Sequence, residues 1–329
     1  MKSILIVHQG AIGDFILSLS SLEAIHRFHS QSRFVFLGHP SILEIINSRP
    51  YFDVVLNCSD KRWAFLYNSK VKLETGLSDA LPPVDSIFAF CRISSQTLVD
   101  NLARIYRKPS YRIDPFPEPN LGLHVCDYQR RQLEELSIPS LPSSAPVIAP
   151  SQQDLLEARR FFQKNVRGET QLVLIHPGSG GRKKLWPVAG WLDVIMKLST
   201  NNNLKLSLIE GPADSQVVQQ ICSKVGSASL LLVNNWRLGK LAALIKHSSL
   251  YLGNDSGITH LAAACNTPTI ALFGPTDPRI WGPKGARVKV VTWRPKSSAH
   301  DSEGEPEDIN KSPVETERVW KLARDYLEI

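Results

Sequence analysis

Several things are scarce in this 329-residue chain, and each scarcity closes off a class of protein. There are 5 cysteines (Cys58, Cys91, Cys126, Cys222 and Cys265), odd in number and scattered, with no C-x-x-C pair. That usage fits reduced, mostly buried thiols and argues against a disulfide framework or a zinc site. No segment approaches the ~18 unbroken apolar residues of a membrane-spanning helix. The opening MKSILIVHQGAIGDFILSLSSL has Lys2 and an apolar run, but His8, Gln9 and Asp14 interrupt it and no small-residue cleavage site follows cleanly. It reads as mature structure in a cytoplasmic protein. No G-x-G-x-x-G or Walker loop follows a strand, which argues against a nicotinamide dehydrogenase. Nor does any Asp-x-Asp occur to hold a divalent cation on a diphosphate.

What is present is ordinary globular composition, 43% hydrophobic and 21% charged, at a length that favours two domains. A strand SILIV, a Gly-containing loop and an amphipathic helix from about Asp14 to His29 lead to a second strand, RFVFLGH, and so to a βαβ start. DVVLNC and VDSIFAF continue the alternation. The Pro- and Ser-rich stretch Ile138–Ser151 reads as a linker. After the helix QQDLLEARRFFQKN a second series begins: QLVLIH, LKLSLIE, SLLLVNN, SSLYLGN, TPTIALF and RVKVVTW, each ending in a polar or Gly-bearing turn. Alternating strands and helices predict parallel sheets covered on both faces, with ligands outside the carboxyl ends of the strands. The polar tail SSAHDSEGEPEDINKSP reads as a surface loop, and VETERVWKLARDYLEI as a closing helix.

Ligand chemistry gathers at those strand ends. HPGSGGRKK, His176 to Lys184, places three glycines and Ser179 after a strand, as phosphate loops do, with Arg182, Lys183 and Lys184 to balance a diphosphate or simply to form a solvated turn. EGPAD supplies Asp214, either a carboxylate for ribose hydroxyls or a helix cap. In GNDSGITHLAAAC, Asp255 or Ser256 caps a helix whose first amides, at Ser256, Gly257 and Ile258, favour a phosphate. Capping alone would also account for Asp255 and Ser256, and packing against the sheet for His260. Their clustering with GPTDP argues against a purely structural account. In the first half, HQGAIGD brings Gly10 and Gly13 to the start of a helix with Asp14, a candidate general base or an N-cap. The net charge of +7 gathers at Lys61-Arg62 and over Arg92, Arg104, Arg107, Lys108 and Arg112. This is a solvated face or, taken together, a patch for an anionic acceptor or acidic headgroups. No nucleic-acid motif accompanies it.

These motifs in this order, GAIGD at 10–14, HPGSGGRKKLWP at 176–187, EGPAD at 210–214 and GNDSGITHLAAA…GPTDP at 253–278, resemble glycosyltransferase family 9, whose best-known members are the ADP-heptose:lipopolysaccharide heptosyltransferases. The resemblance implies a GT-B architecture, two Rossmann-like parallel-sheet domains facing a cleft. It sets an acceptor domain at 1–150, a donor domain at 151–312 and a last helix, 313–329, that packs back on the N-terminal domain. By the same resemblance Asp14 is the base that deprotonates the acceptor, and Lys184 stabilises the departing diphosphate. Asp255, Ser256, Gly257 and His260 hold the donor's sugar and phosphates. Thr276 and Asp277 shape the pocket, Ser179, Gly180, Lys183 and Asp214 complete the donor side, and Gly13, Lys61, Arg62 and Arg92 lie on the acceptor side. The activity implied is inverting, metal-independent and cofactor-free transfer of a sugar, heptose in the best-known members, from an ADP-sugar to a lipopolysaccharide core or related anionic glycolipid. It would take place in the cytoplasm or at the inner face of the membrane. Two departures, Ala11 in place of a hydroxyl residue and the lack of a Cys-rich segment after Trp293, leave room for a non-heptose donor. A sugar-nucleotide epimerase or hydrolase of the same fold is the alternative.

Overall fold

The computed structural model describes residues 1–46, 51–70, 81–139, 141, 145–226, 230–293 and 315–329. The chain divides into two compact units, Met1–Pro146 and Val147–Ile329. The polar tail between Trp293 and the last helix lies outside the described residues, as does part of the expected linker. The rest of that linker is extended and already committed: Ile148 is buried and its N–H donates to the carbonyl of Ala264 (2.9 Å), which draws the boundary forward to residue 147.

The first unit is built from β1 (Ser3–His8), α1 (Ile12–Phe28), β2 (Arg33–Gly38), the short α2 (Pro40–Leu43), β3 (Val54–Asn57), β4 (Ser86–Phe90), α3 (Gln96–Tyr106), β5 (Ser110–Ile113) and α4 (Val125–Glu135). Its five strands are all parallel, in the order β3-β2-β1-β4-β5. β1 and β2 are unbroken apolar runs because helices cover both faces of a parallel sheet, so nothing polar is tolerated until the strand ends. One side of the sheet carries a core of Leu5, Val7, Val35, Leu37, Trp63, Leu66, Leu98 and Leu102.

The second unit runs α5 (Gln152–Asn165), β6 (Gln171–His176), α6 (Val188–Ser199), β7 (Leu204–Glu210), α7 (Ser215–Val225), β8 (Leu231–Asn234), α8 (Leu238–His247), β9 (Leu250–Asn254), α9 (Gly257–Ala264), β10 (Thr269–Phe273), the four-residue α10 (Pro278–Trp281), β11 (Val288–Thr292) and α11 (Glu315–Leu327). The parallel order is β11-β10-β9-β6-β7-β8. Strand order therefore reverses direction at β6, between β7 on one side and β9 on the other. In open α/β sheets such a reversal opens a crevice at the carboxyl ends, because the two connections leave on opposite faces.

The last helix differs from expectation. α11 packs within the second unit: Val319, Ala323 and Leu327 are buried in a core with Trp191, Ile195, Leu198 and Val291. Gln171 Nε2 donates to the Leu327 carbonyl (3.0 Å), and the Tyr326 hydroxyl donates to that of Arg287 (2.9 Å). The apolar stripe of α11 finds its match on α6 and the edge of this sheet.

Candidate functional site

In the second unit the crevice at the β6/β9 junction collects most of the residues singled out in the sequence. β6 ends on His176, paired in register with Gly253 of β9. The loop that follows is fastened to the end of β9 by Asn254, which is fully buried. Its Nδ2 donates to the Pro177 carbonyl (2.7 Å), and its Oδ1 accepts from the Trp186 N–H (3.2 Å). Ser179 Oγ donates to the Asp255 carbonyl (2.7 Å) and closes the loop over the strand end. Lys184, a third exposed, then reaches the buried Asp255 carboxylate (Nζ to Oδ2 2.8 Å). The same oxygen accepts from the Thr276 hydroxyl after β10 (2.5 Å). Lys184, Asp255 and Thr276 thus come from three separate turns to one point.

Ser256, not Asp255, is the N-cap of α9: its Oγ accepts from the Thr259 N–H (3.4 Å). The amides of Gly257 and Ile258 begin the helix, where backbone N–H groups have no intrahelical acceptor and the macrodipole favours an anion. His260 is buried on the same first turn. Arg182 and Lys183 are exposed at the rim and make no ion pair among the described residues. With the Lys184–Asp255 charges cancelling, Arg182 and Lys183 leave exposed positive charge on this turn.

Three further candidates have surroundings that the sequence does not display. Asp214 occupies the N-cap position of α7 but its side chain makes no capping bond. Instead Oδ2 accepts from the Gly211 N–H (2.9 Å) and lies 3.0 Å from His176 Nε2, with only 6% of the residue exposed. Burial works to raise its pKa. The His176 hydrogen bond and charge, with the Gly211 amide, outweigh that and hold the carboxyl below the usual carboxylate range. Asp214 Oδ2 is thus held between His176 and the Gly211 amide. Asp277 caps α10, accepting from the Arg279 N–H (2.9 Å), and is paired with the Arg279 guanidinium (2.6 Å), so its charge is spent locally. Gly180 faces open space, whereas Gly178 does not: a Cβ there would sit 1.9 Å from Asp214 Oδ1.

Sequence reasoning gave no role to His176 or Asn254. The available signal was a polar residue closing an otherwise apolar strand, at both β6 and β9, a place where an unpartnered polar group costs most.

In the first unit Gly13 and Asp14 follow β1, Lys61 and Arg62 follow β3, and Arg92 follows β4, all at the carboxyl edge of the sheet. α1 starts at Ile12 with Ala11 as N-cap, which places Asp14 on the first turn. Its Oδ2 accepts from the Ala11 N–H (3.0 Å), the return half of a capping box whose other half alanine cannot supply. Beneath it His8 is fully buried, its Nε2 3.3 Å from Ser18 Oγ, and burial drives its pKa down to about 4. Lys61 and Arg62 are exposed. Arg62 is bound to Asp60 (2.7 Å) and lies over the Trp63 ring at 4.7 Å, while Arg92 lies over Phe116 at 4.6 Å. The basic run 92–112 is not one patch. α3 carries the chain back across the sheet, so Arg107 and Lys108 emerge at the opposite edge, where Lys108 pairs with Asp85 (3.5 Å). Arg112, on β5, is neutralised by Asp114 (2.8 Å).

Comparison with known proteins bears on this arrangement. Residues 124–308 match the family model described as glycosyltransferase family 9 (heptosyltransferase). The chain is 48% identical to lipopolysaccharide heptosyltransferase 3 of Escherichia coli K12 over 301 residues, 82% of each chain. The chain belongs to glycosyltransferase family 9. Alignments to two Haemophilus influenzae relatives and to a second Escherichia coli heptosyltransferase 3 span 43%, 51% and 33% of those chains. Among solved structures, a family 9 glycosyltransferase from Veillonella parvula superposes with TM-score 0.77 at 20% identity, covering 99% of this chain and 97% of that one. The Escherichia coli ADP-heptose lipopolysaccharide heptosyltransferase II superposes with TM-score 0.72 at 17% identity, covering 100% and 99%. At that identity the likeness speaks for the fold, which is GT-B. The family match takes in every candidate residue of the second unit and stops short of Gly13, Asp14, Lys61, Arg62 and Arg92.

Proposed function

We propose that this family 9 chain transfers a sugar, heptose by kinship, from an ADP-sugar to a lipopolysaccharide core or related anionic glycan, with inversion and without a metal. The observation that carries the reading is the convergence of Lys184, Asp255 and Thr276 beside the N-terminus of α9, at the reversal point of the second sheet. A departing diphosphate gains negative charge in the transition state. Preorganised amides, a helix N-terminus and a lysine can neutralise it, each such group contributing on the order of 3 kcal/mol. Lys184, released from Asp255 when the donor arrives, supplies the mobile cation, and Arg182 and Lys183 add long-range attraction. Asp255, freed in the same step, accepts from sugar hydroxyls alongside Thr276. Asp14 removes the acceptor's proton, held ready as a carboxylate by the first turn of α1. Lys61, Arg62 and Arg92 meet the acceptor's anionic groups. Among the described residues no helix is long and apolar enough to cross a membrane. The enzyme meets its glycolipid from the cytoplasmic side, peripherally.

The test is thermal unfolding with ADP, UDP, GDP and NAD, paired with transfer assays. A ligand at a hundredfold its Kd adds ~2.7 kcal/mol of stability. ADP should protect and UDP, GDP and NAD should not, and Asp255→Ala should abolish the protection. Asp14→Asn should leave ADP protection intact and remove turnover. Turnover of donor without acceptor, or undiminished transfer by Asp14→Asn, overturns the reading.

A further inference from the structure

Among the ionisable groups that the second unit buries, His176, 4% exposed, and Asp214, 6% exposed, contact each other and have no part in the scheme above. Burying such a pair is costly unless each is hydrogen-bonded, and an apolar residue at the end of β6 would serve packing as well. Their partners point somewhere specific. The Asp214 carboxylate can only accept, and it already takes the Gly211 N–H, so His176 Nε2 carries the hydrogen shared between them. That leaves His176 Nδ1, 3.2 Å from Ser256 Oγ, as the variable atom.

Ser256 has one hydrogen to place. Its oxygen already accepts from the Thr259 N–H. The neighbouring Thr259 hydroxyl donates to the Asn254 carbonyl (2.5 Å) and is met by the Tyr251 hydroxyl at 3.1 Å, and its oxygen lies 3.2 Å from Ser256 Oγ, a second inward acceptor for the Ser256 hydrogen. When the imidazole is neutral, Nδ1 is an acceptor and the Ser256 hydrogen turns inward to it. When the ring is protonated, Nδ1–H donates to Ser256, and the Ser256 hydrogen leaves that nitrogen, turning to Thr259 Oγ1 or, with an anion bound, outward beside the Gly257 and Ile258 amides. The direction of one hydroxyl follows the charge of one ring. The other charged or titratable groups around the turn include Asp214 and the buried Glu210 at the end of β7, the buried His260 on the first turn of α9, Tyr251 on β9, whose burial keeps its hydroxyl protonated, and the mutually neutralised Lys184–Asp255 pair.

We propose that Asp214, His176 and Ser256 form a relay that makes Ser256 a donor to the diphosphate of the bound nucleotide-sugar and takes up one proton in doing so. This rests on the reading that a diphosphate occupies the start of α9. No covalent bond changes in the relay. A solvent proton adds to Nδ1, and the Ser256 O–H rotates from that nitrogen to a phosphate oxygen. The negative ligand stabilises the imidazolium it faces. His176 and Asp214 are positioning residues that act through Ser256, which is why Asp214 is buried against a histidine and not turned toward solvent.

The experiment is calorimetric titration of the full chain with ADP, and separately with inorganic pyrophosphate, in buffers of differing ionisation enthalpy at matched pH between about 6 and 9. Wild-type protein should take up more protons per ligand than His176→Asn, by no more than about one. Ser256→Ala should weaken both ligands roughly tenfold or more, as expected for losing a hydrogen bond to a charged group. The double variant should bind no worse than Ser256→Ala. Melting of the unliganded variants reports their folding. If His176→Asn does not fold, Asp214→Asn, which keeps the shape and removes the charge, should lose the same excess proton. Equal proton uptake with and without the histidine, or losses that multiply in the double variant, overturns the relay. Binding of pyrophosphate but not ADP removes the nucleotide reading and leaves the relay standing, while binding of neither overturns both.

Discussion

Gly178→Ala isolates the packing that holds the second-unit crevice together. The backbone at residue 178 lies outside the left-handed region, so alanine brings no conformational strain, and the whole effect comes from one methyl group. That methyl carbon would stand 1.9 Å from Asp214 Oδ1 and 2.1 Å from Cγ, where ordinary contact begins at 3.4 Å. Asp214 must therefore retreat by about 1.5 Å, more than a hydrogen bond survives. It then gives up the Gly211 amide and His176 together. Each hydrogen bond to a charged group contributes about 1.5–3 kcal/mol, and partial rehydration of the displaced carboxylate returns some of it. The expected loss is about 2–4 kcal/mol, or roughly 4–16 °C in the melting temperature of a unit this size. Chemical and thermal unfolding of Gly178→Ala, Asp214→Ala and the pair close a double-mutant cycle. If the clash is the cause, alanine at 178 costs at least about 1 kcal/mol less once Asp214 is gone. An identical cost in both backgrounds would refute the reasoning.

Two further outcomes follow from buried polar groups. His8 has its folded-state pKa lowered to about 4 by burial, so the unfolded chain binds a proton that the folded one refuses. The stability from keeping it neutral is complete above about pH 6.5 and is lost as pH falls toward 4, a total of about 3 kcal/mol. Hydrogen exchange of the β1 amides should show this slope, and His8→Gln should flatten it; an unchanged slope would assign the acid sensitivity elsewhere. Asn254→Ala leaves the Pro177 carbonyl and Trp186 N–H without their buried partner and should cost about 2–5 kcal/mol by denaturant midpoint. It should also weaken ADP more than it weakens the fold elsewhere, because it releases the loop bearing Lys184.

Much of the architecture was legible because it rests on periodicity and punctuation. Unbroken apolar runs such as LVLI and YLG, each closed by a glycine or polar turn, specify parallel strands wherever they are placed, since only a doubly covered sheet hides both faces. The ligand-bearing turns were legible for the same reason: parallel strands send all their carboxyl ends to one edge. α11 illustrates what local pattern lacks. Its apolar stripe says that it packs on something, and only the complementary surfaces of α6 and β11 decide on what. β5 went unread because SYRI is short, carries an arginine, and is a strand only through its pairing with β4.

The site divides along the same line. Residue type and order put Lys184 among three basic residues of one turn and Asp255 and Ser256 at a helix start, and the family resemblance singled them out as donor-site residues. Only the tertiary structure decided which of these groups meet. His176 and Asp214 are 38 residues apart and Lys184 and Asp255 are 71, and each pair is joined by a strand order that no local pattern encodes. A carboxylate's role follows from who reaches it first in a low-dielectric place. Asp214 reads in sequence as a ribose ligand or a helix cap, and in space it is a histidine's partner.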